Sequence, residues 1–104
     1  MRIYVAGSYS ANNVITVLNN IHHGTKKCVE ILKRGDIPFC PWLDYQFQFY
    51  DTTLTVEDYY RYSMGWLEVS EKIYVLKGSE NSKGTQAEIK RAKELGIPIE
   101  LEHK

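Results

Sequence analysis

The sequence predicts an α/β fold: a small Rossmann- or flavodoxin-like sandwich, with a four-stranded or five-stranded parallel sheet covered by helices on both faces. Three observations lead there. Short β-rich runs alternate with longer segments of helical apolar period, in the order β-α-β-α-β-α-β. The run Ile73-Tyr74-Val75-Leu76 is apolar throughout, as a strand covered on both sides should be. The stretch from Gly78 to Ile99 then supplies a Gly/Ser loop, a helix and a return strand, which makes a βαβ unit. Right-handed crossovers leave few topologies for such a chain. Its 104 residues suffice for one domain around one core.

Each element has a local reason. Arg2 to Gly7 is a short β-rich run ending in glycine, expected as the central strand. Gly7-Ser8-Tyr9-Ser10 reads as a loop, and Ala11-Asn12-Asn13 leads into a helix of about twenty residues. Val14, Leu18, Ile21, Cys28, Ile31 and Leu32 recur mostly at spacings of three, four or seven and are expected on its apolar face. Gly24 interrupts that pattern and is expected to mark a bend or break, since an interior glycine costs about 1 kcal/mol. Lys33-Arg34-Gly35 suits a helix end: cations complement its negative pole, and Gly35 suits a left-handed cap. Ile37 to Pro41 is a brief strand with a proline near each end. In Trp42 to Tyr50, the aromatics Tyr45, Phe47 and Phe49 alternate with polar residues, which fits a strand or an extended lid. Thr55 and Asp58 have capping-box spacing, so a helix is expected from there to about Ser70. A last helix from Ser82 to Leu95 would bury Ala87, Ile89, Ala92 and Leu95. Ile97 to Leu101 is the fourth strand, and Glu102-His103-Lys104 reads as a tail.

Thirteen basic residues balance thirteen acidic ones. That neutrality gives no footprint for a long nucleic acid or an anionic membrane, though it allows a small anionic ligand. No apolar run approaches the roughly 20 residues of a membrane span, and the N-terminus enters a strand at once, so a cytoplasmic protein is expected. Cys28 and Cys40 are the only cysteines and read as reduced structural thiols. No Cys/His cluster suggests a metal site. The adjacent His22 and His23 cannot chelate together from one helix face and are read as solvated. The many aromatics are hard to bury in so short a chain, so a homodimer or larger homo-oligomer is expected.

A parallel sheet delivers the carboxyl ends of its strands to one edge. Here that edge collects Gly7-Ser8-Tyr9-Ser10, Pro41-Trp42-Leu43-Asp44 and Gly78 to Gly84. Hydroxyls, glycines and aromatics with few charges suit a nucleoside, nucleotide or sugar phosphate. The loop is neither a dinucleotide fingerprint nor a Walker loop, which disfavours nicotinamide cofactors and ATP; no cofactor is needed. Glu88 has two open readings. Thr85-x-x-Glu88 matches a capping box. Alternatively, a carboxylate held ionised by the positive helix end beside a sugar site is what covalent catalysis at an anomeric carbon requires. Asp44 is either a turn residue or a hydrogen-bonding group for a ligand. Tyr4 lies inside a strand, and its hydroxyl needs a partner. Tyr59, Tyr60, Tyr62 and Trp66 read as core or subunit interface.

Taken together, RIYVAGSYS and SKGTQAEIKRAKELGIPI resemble the opening strand-loop and the closing Ser-x-Gly-x-x-x-Glu-x-x-x-Ala helix of the nucleoside 2-deoxyribosyltransferase superfamily. The nearest likeness is to its small, often phage-encoded members of unassigned function, related to deoxynucleoside 5′-monophosphate N-glycosidases. The resemblance covers nearly the whole chain. It implies cleavage or exchange of an N-glycosidic bond, with Glu88 matching the nucleophile and Tyr4 the residue that orients it. Ser82 matches a serine that helps bind the 5′-phosphate in the nucleotide-hydrolysing branch, and Gly7 and Ser8 match the first ligand loop. With Tyr9, Trp42, Asp44, Ser63 and Gly84, these residues complete the expected substrate-binding set. One departure stands out: the family's Asp-x-x-Trp-Leu helix reads Ser63-Met64-Gly65-Trp66-Leu67 here. Serine cannot protonate a leaving base near pH 7, so that task would fall to another group, such as Asp44. The competing expectation is a module that binds a nucleotide or nucleotide derivative without cleaving it. A third is an interaction protein that docks a partner through Trp42 to Trp66.

Overall fold

In the computed structural model, which describes residues 1–79 and 81–102, four parallel strands form one sheet in the order β2-β1-β3-β4. They are β1 (Arg2–Ala6), β2 (Ile37–Phe39), β3 (Lys72–Val75) and β4 (Ile99–Leu101). The expected alternative of a fifth strand is absent among the described residues. β1 is central, hydrogen-bonded to β2 on one side and β3 on the other, and Ile3 to Ala6 are fully buried. Alternate side chains feed two cores, as strand geometry dictates. Ile3, Val5, Tyr74 and Leu76 pack with Cys28, Ile31 and Trp42 on one face. Tyr4, Ala6, Ile73 and Val75 pack with Leu67 and Ala92 on the other. Covering both faces therefore takes α1 (Val14–Lys33) on one side, and α2 (Val56–Glu68) with α3 (Lys83–Leu95) on the other.

α1 runs unbroken through Gly24. The bend expected there does not form, and the glycine has a different cause. A Cβ at Gly24 would lie 2.8 Å from two ring atoms of Trp42, so the indole packs directly on the helix backbone. The buried stripe is Val17, Gly24, Cys28 and Ile31, with Ile21 packed beside it. Val14, Leu18 and Leu32, expected inside, are exposed, because the close approach of Trp42 fixes the rotation of the helix. At the far end, Gly35 has φ 100°, and the Gly35 and Asp36 N–H groups donate to Leu32 and Ile31 carbonyls, a Schellman closure.

Trp42 to Tyr50 is neither a strand nor an extended lid: Pro41–Phe49 is a 3-10 helix. Pro41 has no N–H for a ladder and is preorganised for a first helical turn. The alternating aromatics find partners one by one rather than as a sheet face: Tyr45 meets Tyr9 and Phe49 edge-on, and Phe47 meets Tyr62.

α2 begins with the expected capping box. Asp58 N–H donates to Thr55 Oγ1 at 3.2 Å, and Thr55 N–H donates to Asp58 Oδ2 at 2.9 Å. α3 buries Ala92 and partly buries Ile89 and Ala87, whereas Leu95 faces solvent near the last turn. β4 starts at Ile99, later than expected, because Ile97 N–H is held by Ala92 O at the end of α3. Glu102 is no tail residue. It is buried, its N–H donates to Val75 O, and its carboxylate lies 3.0 Å from His23 Nε2. His23 is therefore paired rather than simply solvated. The rest of the expected tail, His103 and Lys104, lies outside the described residues. Among the described residues, no helix is long and apolar enough to cross a membrane.

Candidate functional site

From central β1 the chain passes to β2 on one side, then returns to β3 on the other. Loops leaving neighbouring strands in opposite directions open a crevice at the carboxyl edge, where α/β sheets bind ligands. The loops after β1 and β3 are tied together there: Ser8 N–H donates to Ser79 Oγ at 3.0 Å. A cleft of about 490 Å³ opens beside them. Gly7, Ser8, Tyr9 and Ser10 line it from the first loop, and Pro41, Trp42 and Asp44 from the 3-10 helix. Val56, Tyr59, Tyr60 and Ser63 line it from α2, and Ser82, Lys83, Gly84, Thr85 and Glu88 from the start of α3. Every expected site residue except Tyr4 lines this one cleft, and Tyr4 reaches it through Glu88.

Tyr4, fully buried on β1, donates its hydroxyl hydrogen bond to Glu88 Oε2 across the sheet face. The capping-box reading of Glu88 is not realised. The N-cap is Ser82, whose Oγ accepts from Thr85 N–H at 3.1 Å, so Glu88 lies in the second turn. Glu88 is also not held ionised by the helix end. Burial pushes its pKa up to about 7, the Tyr4 hydrogen bond opposes that rise, and the nearby charge of Asp44 adds to it. Burial, the Glu88 charge and their hydrogen bond raise the Tyr4 phenol, which therefore stays protonated and remains a donor. The Ser63 hydroxyl acts on that phenol in the opposite sense.

Asp44 is 4% exposed, and its Oδ1 accepts from Tyr9 O–H at 3.3 Å. Burial moves its pKa up to about 6, against the lowering influence of Tyr9. Two carboxyl groups with raised pKa values thus share one cleft, a pattern associated with acid–base sites. Trp42 lines the cleft from a packed position: its ring lies on Gly24, and Nε1 donates to Thr25 Oγ1 at 3.1 Å. Gly7 leaves space for Leu76, since a Cβ there would collide with Leu76 Cδ1. Around Gly84 the space is open. Lys83 is the only cation among the described lining residues.

Val56, Tyr59 and Tyr60 were not anticipated in the site. The signal was present: with Ser63 they recur at i, i+3, i+4 and i+7, one face of α2. From sequence Tyr59 and Tyr60 read as core or subunit interface, because nothing local shows that they border a cleft.

A family model described as Domain of unknown function (DUF7768) matches residues 1–102. None of the curated proteins matches the chain. Among solved structures, a 2-deoxyribosyltransferase from the psychrotolerant bacterium Bacillus psychrosaccharolyticus is similar, with a TM-score of 0.72 and 16% sequence identity. The match covers 97% of this chain and 71% of that one. At that identity the likeness is one of fold.

Proposed function

The chain belongs to the family of that model, Domain of unknown function (DUF7768), and we propose that its cleft binds a nucleoside or nucleotide and breaks or exchanges the N-glycosidic bond. The observation that carries this is the Tyr4–Glu88 hydrogen bond at the edge of the cleft. A carboxylate with one oxygen oriented by a buried neutral donor is poised as a nucleophile. Glu88 attacks the anomeric carbon, and the carbon–nitrogen bond breaks with its electron pair leaving on the base. Asp44, whose raised pKa keeps a protonated fraction near neutrality, delivers the proton to that base. Water then attacks the glycosyl ester and gives a proton to Asp44, or a second base takes the sugar; either route frees Glu88. Ser82 Oγ already accepts from the helix, and its own proton, which has no acceptor among the described residues, can donate to a phosphate or sugar oxygen. Lys83 and the first turn of α3 favour an anion at the same place. Tyr9, Tyr59 and Tyr60 supply faces for a base.

Ser63 supports a second reading. In the superfamily that the sequence resembles, enzymes carry an aspartate there, and its replacement by serine favours a site that holds a nucleotide without turnover. One experiment separates the two. Purified protein is incubated with a panel of ribo- and deoxyribonucleosides and their 5′-monophosphates, and free base is measured. Release that disappears in Glu88→Ala supports the glycosidase or transferase. Binding by calorimetry without release selects the binding module, and full release by Glu88→Ala overturns the nucleophile. We also propose that the chain forms a homo-oligomer, since Val14, Ile15 and Leu18 expose an apolar start of α1.

A further inference from the structure

Away from the catalytic carboxylates, two thiols come together without being bonded. Cys28 Sγ and Cys40 Sγ lie 3.1 Å apart and are both free. Cys28 sits three-quarters of the way along α1, deep in one core, whereas Cys40 is half-buried just past the end of β2. A disulfide requires about 2.05 Å between sulfurs, so closing the gap takes a shift of about 1 Å. The backbone can supply it on one side only. Cys28 is fixed inside a helix, but Cys40 lies in the irregular turn between β2 and the 3-10 helix. That turn leads directly into Pro41, Trp42 and Asp44, the cleft wall.

We propose that Cys28 and Cys40 form a reversible intramolecular disulfide by exchange with low-molecular-weight disulfides. The more accessible Cys40 thiolate attacks one sulfur of the small disulfide, forming a mixed disulfide and expelling one thiolate. The Cys28 thiol then loses its proton and attacks the Cys40 sulfur, and the second small thiol leaves. Overall, one small disulfide is reduced to two thiols while the protein dithiol is oxidised. The close contact divides these roles: Cys40 and burial together disfavour the thiolate at Cys28, whereas the neighbouring Cys28 favours it at Cys40. The closed bond ties the cleft wall to α1, where Trp42 already rests on Gly24.

The test is titration of the purified protein with mixtures of oxidised and reduced glutathione, quenched by alkylation and read by mass. The expected result is paired loss of both free thiols with no retained adduct, a mass lower by about two hydrogens, and full recovery on adding reductant. The oxidised protein should melt roughly 10 °C higher, because the bond closes a short loop in the unfolded chain. In Cys28→Ala the glutathione adduct should stay on Cys40; in Cys40→Ala, Cys28 should not react while the protein is folded. A lasting adduct on Cys40 of the unaltered protein would overturn the proposal. So would disulfide-linked dimers, or two thiols that stay free under conditions that oxidise the urea-unfolded chain.

Discussion

Two glutamates stand near the carboxyl edge of the same sheet and have opposite characters. Glu102 is buried, and burial acts to raise its pKa, yet its partners hold it below the usual glutamate value. Lys77 N–H donates to Oε1 at 2.8 Å, and His23 Nε2 lies 3.0 Å from the same oxygen. Among the described residues Oε2 has no aligned hydrogen bond but lies 3.3 Å from Lys27 Nζ. Glu88 is desolvated as well, but its side-chain donor is the neutral Tyr4, and its pKa rises to about 7. The contrast shows that burial alone does not mark a reactive carboxylate; the charge of its partners does. Glu102 is compensated by the Lys27 cation, the His23 ring and a backbone donor and acts as a clasp between α1 and β4. Glu88 is left uncompensated beside a cleft, where a ligand can meet it.

The strongest way to break this comparison is to neutralise each glutamate. Glu88→Gln should reduce base release by at least about 10³-fold while leaving the melting temperature unchanged or higher, because it removes a poorly solvated charge. Activity assay and thermal melt are read on the same sample. If the melt collapses together with activity, Glu88 is a structural residue like Glu102.

The pH dependence of stability should separate the two by sign. Glu88 has a folded pKa above its ordinary value of 4.5. Its folded state therefore binds the proton more tightly, and this contribution is full below about 4.5 and lost as pH rises through about 7. At about 1.4 kcal/mol per unit the loss exceeds about 3 kcal/mol. Glu102 is lowered, so its contribution is present above 4.5 and lost as pH falls through its folded value. Urea unfolding from pH 4 to 8 should show the alkaline loss in the unaltered protein and a flatter curve in Glu88→Gln. An unchanged slope in that variant would remove Glu88 as its source.

Glu102→Gln should cost about 2 kcal/mol of stability, through weakened pairing with His23 and Lys27 in a buried setting. The measurement is the urea midpoint at pH 7. A loss below about 0.5 kcal/mol would mean that the clasp contributes no more than an exposed ion pair.

The two glutamates also differ in how far sequence discloses them. Glu88 was legible because its surroundings are local and topological: a strand end, a Ser/Gly loop and a helix start converge wherever a βαβ unit forms. Its tyrosine partner lies 84 residues away and came only with the resemblance. Glu102 was illegible because its partners lie 25 and 79 residues away, on a loop and a helix with no pattern pointing to it. Gly24 was misread for the same reason, since its cause is an indole from another element. The 3-10 helix failed differently. Its aromatics have a period of two, the strand signal, but Pro41 and the lack of an adjoining strand outweighed it.

The smallest predicted effect tests the partner argument most directly. If the neutral phenol sets the character of Glu88, then Tyr4→Phe removes the hydrogen bond that opposes its raised pKa. The carboxyl should become harder to ionise, not easier. Because the ionised form is the nucleophile of the proposed reaction, the acidic limb of kcat/KM against pH should move upward by about one unit, equivalent to about 1.4 kcal/mol. Activity should fall most near pH 6 and recover in large part near pH 8. A uniform loss at every pH would mean that Tyr4 aims the carboxylate without tuning it. A limb that moves down would mean that desolvation of the phenol, rather than its hydrogen bond, dominates Glu88.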